Sequence, residues 1–498
     1  MSTLSNKTRI TIVGAGMGGA MMATYLARRG CQVEVYERRG DMRREPIEKG
    51  KSINMTLAAR GLKALEEVGL LDEVMRLTMP LKGRIVHELS NEVNYQPYGK
   101  NDDEVIHSVT RNGLNAILMN AAQSYPNVRF HFRMRCVRLD KENGALQFRN
   151  EETGELVDVE SDLIIGADGA FSTIRQQMHR GIRANYQQDF LDWGYKELTI
   201  PPGPDGSFQM NEAGLHLWPR GNYMLMAMPN SDRSFTCTCI LPFEGENSFA
   251  SIRTEADVMA LFKSQFSDVV PLLPNLAQEF LTNRSVEMIT TYTAPWYYKD
   301  RIVLIGDACH AVVPFYGLGM NTAFEDCSVL DACLAQWNGD AERVFVEYQG
   351  LRKRNTDILA NLSKQNFIEL RDKVQSPVFL ARKKVDIALN RIFPRHWVPL
   401  YTMMTHTTMP YSEALARHTR RNRIARLLGL DVALFTTAGL MVAGGFAKRL
   451  LARKRRPIAE VATSLREEIA QPAVVFADAL PARAQEAAAS EASLSISA

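Results

Sequence analysis

A glycine-rich turn near the start of the chain constrains the fold more than any other feature. Ile10–Val13 reads as a short strand, Gly14–Gly19 as a turn and Ala20–Arg29 as a helix that Gly30 ends. Val33–Tyr36 reads as a second strand, with Glu37 at its end. Gly14, Gly16 and Gly19 therefore form G-x-G-x-x-G between a strand and a helix. Gly14 permits the tight turn, Gly16 lets a pyrophosphate approach the backbone, and Gly19 lets helix and strand pack closely. The phosphates would sit on the unsatisfied N–H groups at the positive helix end. Glu37 follows at about 20 residues, where an acid can accept from a ribose 2′-hydroxyl. The motif alone is weak and also describes a tight turn without a ligand. With its strand, helix and acid in place it predicts a Rossmann-like βαβ unit that binds a dinucleotide.

The remaining pattern divides the 498 residues. Leu57, Leu62, Leu65 and Val68 recur at helical spacing and predict a helix over Ser52–Gly69. Short extended pieces follow between Arg84 and Val105, then a helix over Thr110–Ala122 with Thr110 as its cap. Strands are expected over Val128–Leu139 and Ala145–Asn150. Leu215–Trp218, Tyr223–Met228 and Ser234–Leu241 read as an antiparallel sheet, with a helix over Ala256–Phe266. Arg301–Ile305 returns to a buried parallel strand, and Asn321–Trp337 is helical. The expected class is α/β with an added antiparallel sheet: a discontinuous nucleotide domain over 1–181 and 291–360, with a substrate-facing insert at about 82–105. A substrate domain over 182–290 interrupts it. A helical region over 361–456 and an Ala-rich tail over 457–498 complete the chain.

Two later segments separate a flavin from a nicotinamide as the resident dinucleotide. Asp168 follows the strand Leu163–Ile165, and Asp307 follows Ile302–Ile305, so each places an acid at a strand end. Asp307 can accept from a ribityl hydroxyl. The loop from Val313 to Asn321 enters a helix whose start can stabilise negative charge on a reduced isoalloxazine. No second G-x-G-x-x-G is visible.

These segments, in this order, resemble the class A flavoprotein aromatic hydroxylases and, within them, the kynurenine 3-monooxygenase family. The resemblance covers about residues 8–425. It is carried by KGRIVHE, the Tyr98 region, TRNGLN, GADGAFSTIR, GLHLWPRGNYMLMAMPN, GDACHAVVPFYGLGMN, KQNFIEL and VPLYTMMT. It implies tightly bound, non-covalent FAD, transient NADPH, and hydroxylation of L-kynurenine to 3-hydroxykynurenine with O2 through a flavin C4a-hydroperoxide. It assigns Arg84 to the substrate carboxylate, Tyr98 and Tyr401 to hydrogen bonds with it, and Asn366 to the amino-acid head. An arginine fork suits a planar carboxylate, and two phenols can complete its acceptor capacity. Arg111 matches an arginine close to the flavin, and Pro314, Gly319, Met320 and Asn321 match the flavin-ring loop. No side chain is required as acid or base. The family loop commonly has Gln where Leu318 stands and Ala where Cys309 stands. Leu318 is therefore expected beside flavin and substrate, where it keeps open a same-class hydroxylase acting on a different aromatic acid.

Other residues read as structural. His310 beside Asp307 lacks the spacing of a hydrolase triad. Cys309, Cys327 and Cys333 read as small buried residues. Cys237 and Cys239 share one strand face without a ligand cluster, so no metal is expected. Met224, Met226 and Met228 also share a strand face, lining core or pocket. The net charge of +3 implies no nucleic-acid partner. Val432–Ala447 is uncharged but shorter than the roughly 20 residues of a bilayer span. It is read as a packed or surface-docked helix, which leaves peripheral membrane contact open beside a cytoplasmic location. A homodimer is equally open.

Overall fold

Ile10, Ile12, Val33 and Val35 have no exposed surface, because their strands lie at the centre of a six-stranded sheet. In this computed structural model the strand order is Tyr297–Tyr298, Ile302–Leu304, Leu163–Gly166, Arg9–Val13, Gln32–Tyr36 and Val128–His131. All neighbours are parallel except the first pair. Apolar residues run continuously along these strands, as burial on both faces requires. Helices Met17–Arg28, Arg111–Gln123 and Gly319–Gln336 supply buried side chains to the same core. The structure describes residues 8–45, 54–99, 104–373, 386 and 389–427. Among the described residues no helix is long and apolar enough to cross a membrane. Val432–Ala447 and the Ala-rich tail lie outside them.

The chain leaves the six-stranded sheet after Gly166, rejoins it at the edge with Tyr297–Tyr298, and resumes its parallel part at Ile302. Between these points it builds most of a seven-stranded sheet. Its order is Val286–Ala294, Asn185–Ile200, Phe235–Pro242, Tyr223–Pro229, Gly214–Arg220, Gly83–His87 and Val93–Pro97. The last two strands come from earlier in the chain, and Gly83–His87 pairs in parallel with Gly214–Arg220. Side chains alternate across this sheet. Leu225, Ala227, Cys237, Cys239 and Leu241 face helices Glu255–Gln265 and Leu276–Thr282. Val86, Leu217, Met224 and Ile240 face the opposite way, against Val313, Phe315 and Phe367. That second face is the wall of the candidate site.

Three expectations change. Asn54–Leu57 is a strand paired with Ile106–Thr110, so the helix is shortened to Ala59–Glu67. The buried Asn54 amide decides this by donating to Asn230 Oδ1 at 2.7 Å and Ser108 Oγ at 3.0 Å. Residues 128–139 are two strands in different sheets, because Arg133 turns the backbone at φ +59°. Thr110 stands at the cap position of Arg111–Gln123, but its side chain makes no capping hydrogen bond.

A buried histidine pair braces the seven-stranded sheet. His87 Nδ1 lies 2.8 Å from Asp268 Oδ2, and His87 Nε2 lies 2.8 Å from His216 Nδ1. His216 Nε2 faces the Asn211 carbonyl at 2.8 Å, so that nitrogen is the donor. Burial pulls the His216 imidazole down to about 4. The folded protein therefore resists a proton that the unfolded chain accepts below its ordinary value of about 6.5. Stability is complete above that pH and falls as pH drops from about 6.5 to 4, by on the order of 3 kcal/mol from this group. Urea unfolding across that range should show the fall, and His216→Gln should flatten it.

Candidate functional site

The glycine turn has the shape a pyrophosphate needs. Gly14 takes φ +106°, and a Cβ on it would lie 2.4 Å from the Ala167 carbonyl oxygen. A Cβ on Gly19 would lie 2.0 Å from the Gly14 oxygen. A Cβ on Gly16 would meet nothing within 4 Å, so that side of the turn is open. Gly16 caps the helix Met17–Arg28 without a side-chain bond, and no acidic residue stands in its first turn. The positive helix end is left for an anion.

Residues from two other elements meet this turn. Glu37 Oε2 accepts from Ala15 N at 2.9 Å, while Oε1 accepts from Arg39 N and Nε. Asn115 Nδ2 donates to the Ala15 carbonyl at 3.2 Å, which docks the helix Arg111–Gln123 onto the turn. The Asn115 Oδ1 atom is buried there without a hydrogen-bond partner. Arg111, at the start of the same helix, is exposed. Asp307 is also exposed, and opens the short helix after Gly306, whose φ is +59°. An open cradle, an uncapped helix end, an orphaned amide oxygen and an available carboxylate fit a flavin dinucleotide. Gly14, Gly16 and Gly19 would hold its pyrophosphate; Glu37 braces the turn from behind, and Arg111 and Asp307 are exposed side chains.

Other residues expected at the cofactor make contacts within the chain. Asp168 accepts from Ser172 Oγ at 2.5 Å and from Thr173 N at 2.7 Å. Its carboxylate thereby braces the start of helix Thr173–Met178. Burial raises its pKa, against the pull of those hydrogen bonds. Asn321 accepts from Ala58 N at 2.7 Å and donates to the carbonyls of Thr56 and Gly317. Its amide locks the loop rather than presenting itself to a flavin. Met320 packs into the main core. Within the block 314–321, the side chains of Met320 and Asn321 are both buried. Leu318 is 2% exposed and packs with Leu359, Leu362, Met403 and Met404. It anchors the C-terminal helices, which corrects the expectation that it stands beside flavin and substrate.

Behind the loop, His310 Nε2 lies 2.5 Å from Asp326 Oδ2, and Arg352 Nε donates to Asp326 Oδ1 at 2.8 Å. Asp326 also accepts from Gly306 N at 2.9 Å. Burial disfavours the Asp326 charge, but His310 and Arg352 outweigh it and hold its pKa below the usual carboxylate value. Cys309 completes a close Cys–His–Asp group. Its Asp is already engaged by a guanidinium, an imidazole and an amide, so the group reads as a structural ion network.

On the sheet wall, Arg84, Tyr98 and Tyr401 come together from positions far apart in the chain. The Arg84 guanidinium carbon is 5.6 Å from the centroid of each tyrosine ring, and the rings stack at 5.4 Å. Arg84 is 7% exposed, and its Nε has no hydrogen-bond partner. Burial works against its charge, while Tyr98, Tyr401 and Glu369 support it and raise its pKa. A buried guanidinium with an open donor is incomplete until an anion reaches it. Asn366 is buried in the last turn of the helix Ala341–Ile368, and its Nδ2 donates to the Phe315 carbonyl at 2.6 Å. Phe315 stacks on Phe367 at 4.4 Å. Glu369, close enough to act on both Arg84 and Tyr316, stands unassigned inside KQNFIEL.

Comparison with known proteins places this geometry. An FAD binding domain model matches residues 7–352. The kynurenine 3-monooxygenase of Salinispora arenicola (strain CNS-205) is 46% identical over 443 residues, covering 88% of this chain and 97% of that one. The chain belongs to the kynurenine 3-monooxygenase family. The family's Myxococcus xanthus (strain DK1622) member is 44% identical over 407 residues, covering 82% of this chain and 88% of that one. Among solved structures, the tetrameric form of 2-methyl-3-hydroxypyridine-5-carboxylic acid oxygenase gives a TM-score of 0.60 at 21% identity, over 76% of this chain and 96% of that one. P. aeruginosa PqsL in complex with 2-aminobenzoylacetate gives 0.59 at 20%, over 73% and 97%. These two establish the fold. Like other kynurenine 3-monooxygenases, this enzyme is a flavoprotein monooxygenase with FAD as its bound cofactor.

Proposed function

We propose that this chain hydroxylates L-kynurenine at the ring carbon ortho to its amino group, giving 3-hydroxykynurenine. One substrate C–H bond becomes C–OH. The second oxygen atom of O2 leaves as water, and NADPH is oxidised to NADP⁺. Bound FAD supplies the reduction by NADPH and the activation of oxygen. The observation that carries the reading is buried Arg84, with its open Nε, between Tyr98 and Tyr401.

The substrate carboxylate occupies that guanidinium, and the two phenols donate to it. An amino-acid head also carries an ammonium, and Glu369 is the matching negative charge beside Arg84. Asn366 holds the Phe315 end of the flavin loop and faces the same head. Phe315, Phe367, Leu217 and Met224 form an apolar wall that excludes water from the aromatic ring. No side-chain acid or base is needed, because the ring amino group already enriches the reacting carbon. Arg84 and the tyrosines orient the substrate and reject aromatics that lack a carboxylate.

The test is oxygen consumption by the holoenzyme with NADPH, with and without L-kynurenine, and product identification by mass and retention. Oxygen and NADPH loss matched by 3-hydroxykynurenine is expected. Stimulated uptake that yields hydrogen peroxide and no hydroxylated product would reject kynurenine and leave a same-class hydroxylase for another aromatic acid.

A further inference from the structure

Arg60 is 3% exposed and belongs to neither site described above. It is the second residue of the helix Ala59–Glu67. Its Nη1 donates to the carbonyls of Met404 at 2.7 Å and Thr407 at 3.0 Å, and its Nη2 donates to that of Met409. Its Nε pairs with Glu325 Oε1 at 3.0 Å, and its guanidinium carbon lies 3.9 Å from the Tyr411 ring centroid. Three carbonyls and a carboxylate need a planar fork of N–H donors, which only arginine offers.

Those carbonyls belong to a segment that needs holding. The helix Leu400–Thr405 has six residues, too few to be stable alone, and its last carbonyls lack intrahelical partners. Tyr401 is its second residue. The turn that carries Arg60 also grips the flavin loop. Ala58 N donates to Asn321 Oδ1 at 2.7 Å, and a Cβ on Gly61 would lie 2.4 Å from that oxygen. One short stretch, Ala58–Gly61, thus holds the loop on one side and the tyrosine helix on the other. The helix that follows, although Arg60 also stacks on its Tyr411, has further ties of its own, from Tyr411 Oη to Thr322 Oγ1 at 3.1 Å and from Ser412 N, which donates to Asn355 Oδ1 at 2.9 Å. Loosening Arg60 therefore frees the segment around Tyr401 more than the fold as a whole.

We propose that Arg60 is a positioning residue for the substrate carboxylate. By gathering the carbonyls of Met404, Thr407 and Met409, it sets Tyr401 against Arg84 and Tyr98 and fixes their place relative to the flavin loop. This rests on the reading of Arg84, Tyr98 and Tyr401 as the carboxylate site.

The experiment uses holoenzyme carrying Arg60→Lys, Tyr401→Phe or both. Each is titrated with L-kynurenine and with its decarboxylated analogue, read by perturbation of the flavin absorbance. Flavin content and Tm report folding. Arg60→Lys should weaken L-kynurenine about tenfold and the analogue by less than about twofold. Because Arg60 acts through Tyr401, the double variant should bind L-kynurenine within about twofold of Tyr401→Phe alone. Peroxide formed per NADPH consumed should rise in Arg60→Lys. Equal weakening of both ligands, multiplicative effects in the double variant, or lost flavin with unchanged discrimination would each overturn the assignment. A wild-type enzyme that binds both ligands equally overturns the substrate reading itself, and this role of Arg60 with it.

Discussion

Arg84→Ala should raise the KM for L-kynurenine by about 30-fold or more, because truncating one partner of a buried hydrogen-bonded charge pair costs about 2–5 kcal/mol. The interaction is made in ground state and transition state alike, so kcat should move much less than KM. The flavin content of the purified protein should be unchanged, since Arg84 lies on the strand Gly83–His87 and not on the turn Gly14–Gly19 that would hold the pyrophosphate. Steady-state kinetics with varied kynurenine checks this, and an unchanged KM would remove Arg84 from the carboxylate site. A second consequence separates binding from stability. The free enzyme keeps a guanidinium buried with an unpaired Nε. Arg84→Met preserves the apolar stem but leaves Glu369 without the guanidinium that faces it, so the Tm of the ligand-free variant should fall below that of the wild type.

The glycine turn makes the other large prediction, and its three glycines should fail differently. Gly16→Ala adds a methyl group to open space, so the protein should fold with a Tm close to the wild type. The same methyl group stands where a pyrophosphate must approach the backbone, and FAD affinity should fall by about 100-fold or more. Gly19→Ala drives its Cβ to 2.0 Å from the Gly14 carbonyl oxygen. Gly14→Ala adds a left-handed backbone to a 2.4 Å clash with the Ala167 carbonyl. These two should reduce soluble folded protein as well as flavin content. Flavin titration of each apoprotein, beside its Tm, distinguishes the cases. Full FAD affinity in Gly16→Ala would remove the pyrophosphate from this turn.

The nucleotide half was legible because its signals are local. A strand, three glycines and a helix lie within 20 residues, and each glycine has a separate steric task. The alternation that divides Met224 and Ile240 from Leu225 and Cys239 is equally local. The long strand Asn185–Ile200 was not legible. It is polar along much of its length, slips register between Phe190 and Gly194, and is fixed by partners on both sides. The break at Arg133 was hidden because nothing in its side chain announces a left-handed backbone. The site divides in the same way. Arg84, Tyr98 and Tyr401 share no spacing, and only resemblance linked them. Asn321 and Asp168 were assigned to cofactor by position, but their hydrogen bonds go to Ala58, Thr56, Ser172 and Thr173. The Asp168 sequence did carry a clue, since an acid followed by Ser172 and Thr173 is a helix-start pattern. Glu369 stood unassigned inside KQNFIEL and Arg60 carried no signal, because the groups they act on lie far along the chain or on the main chain.

The return of the chain at Ile302 has a consequence for how the enzyme is made. Leu163–Gly166 emerges from the ribosome about 135 residues before its outer neighbour Ile302–Leu304. At ordinary synthesis rates that is roughly 7–30 s during which an apolar strand has one bare edge. The glycine signature is by then complete, yet the sheet beneath it cannot close. A fragment ending near Arg180 would contain every residue of the G-x-G-x-x-G unit and still lack the outer sheet neighbour of Ile164 and Ile165. The nucleotide half is therefore not a portable module. Its completion waits on translation of almost the whole substrate sheet, and a holding chaperone during that interval should improve soluble yield more than excess flavin does.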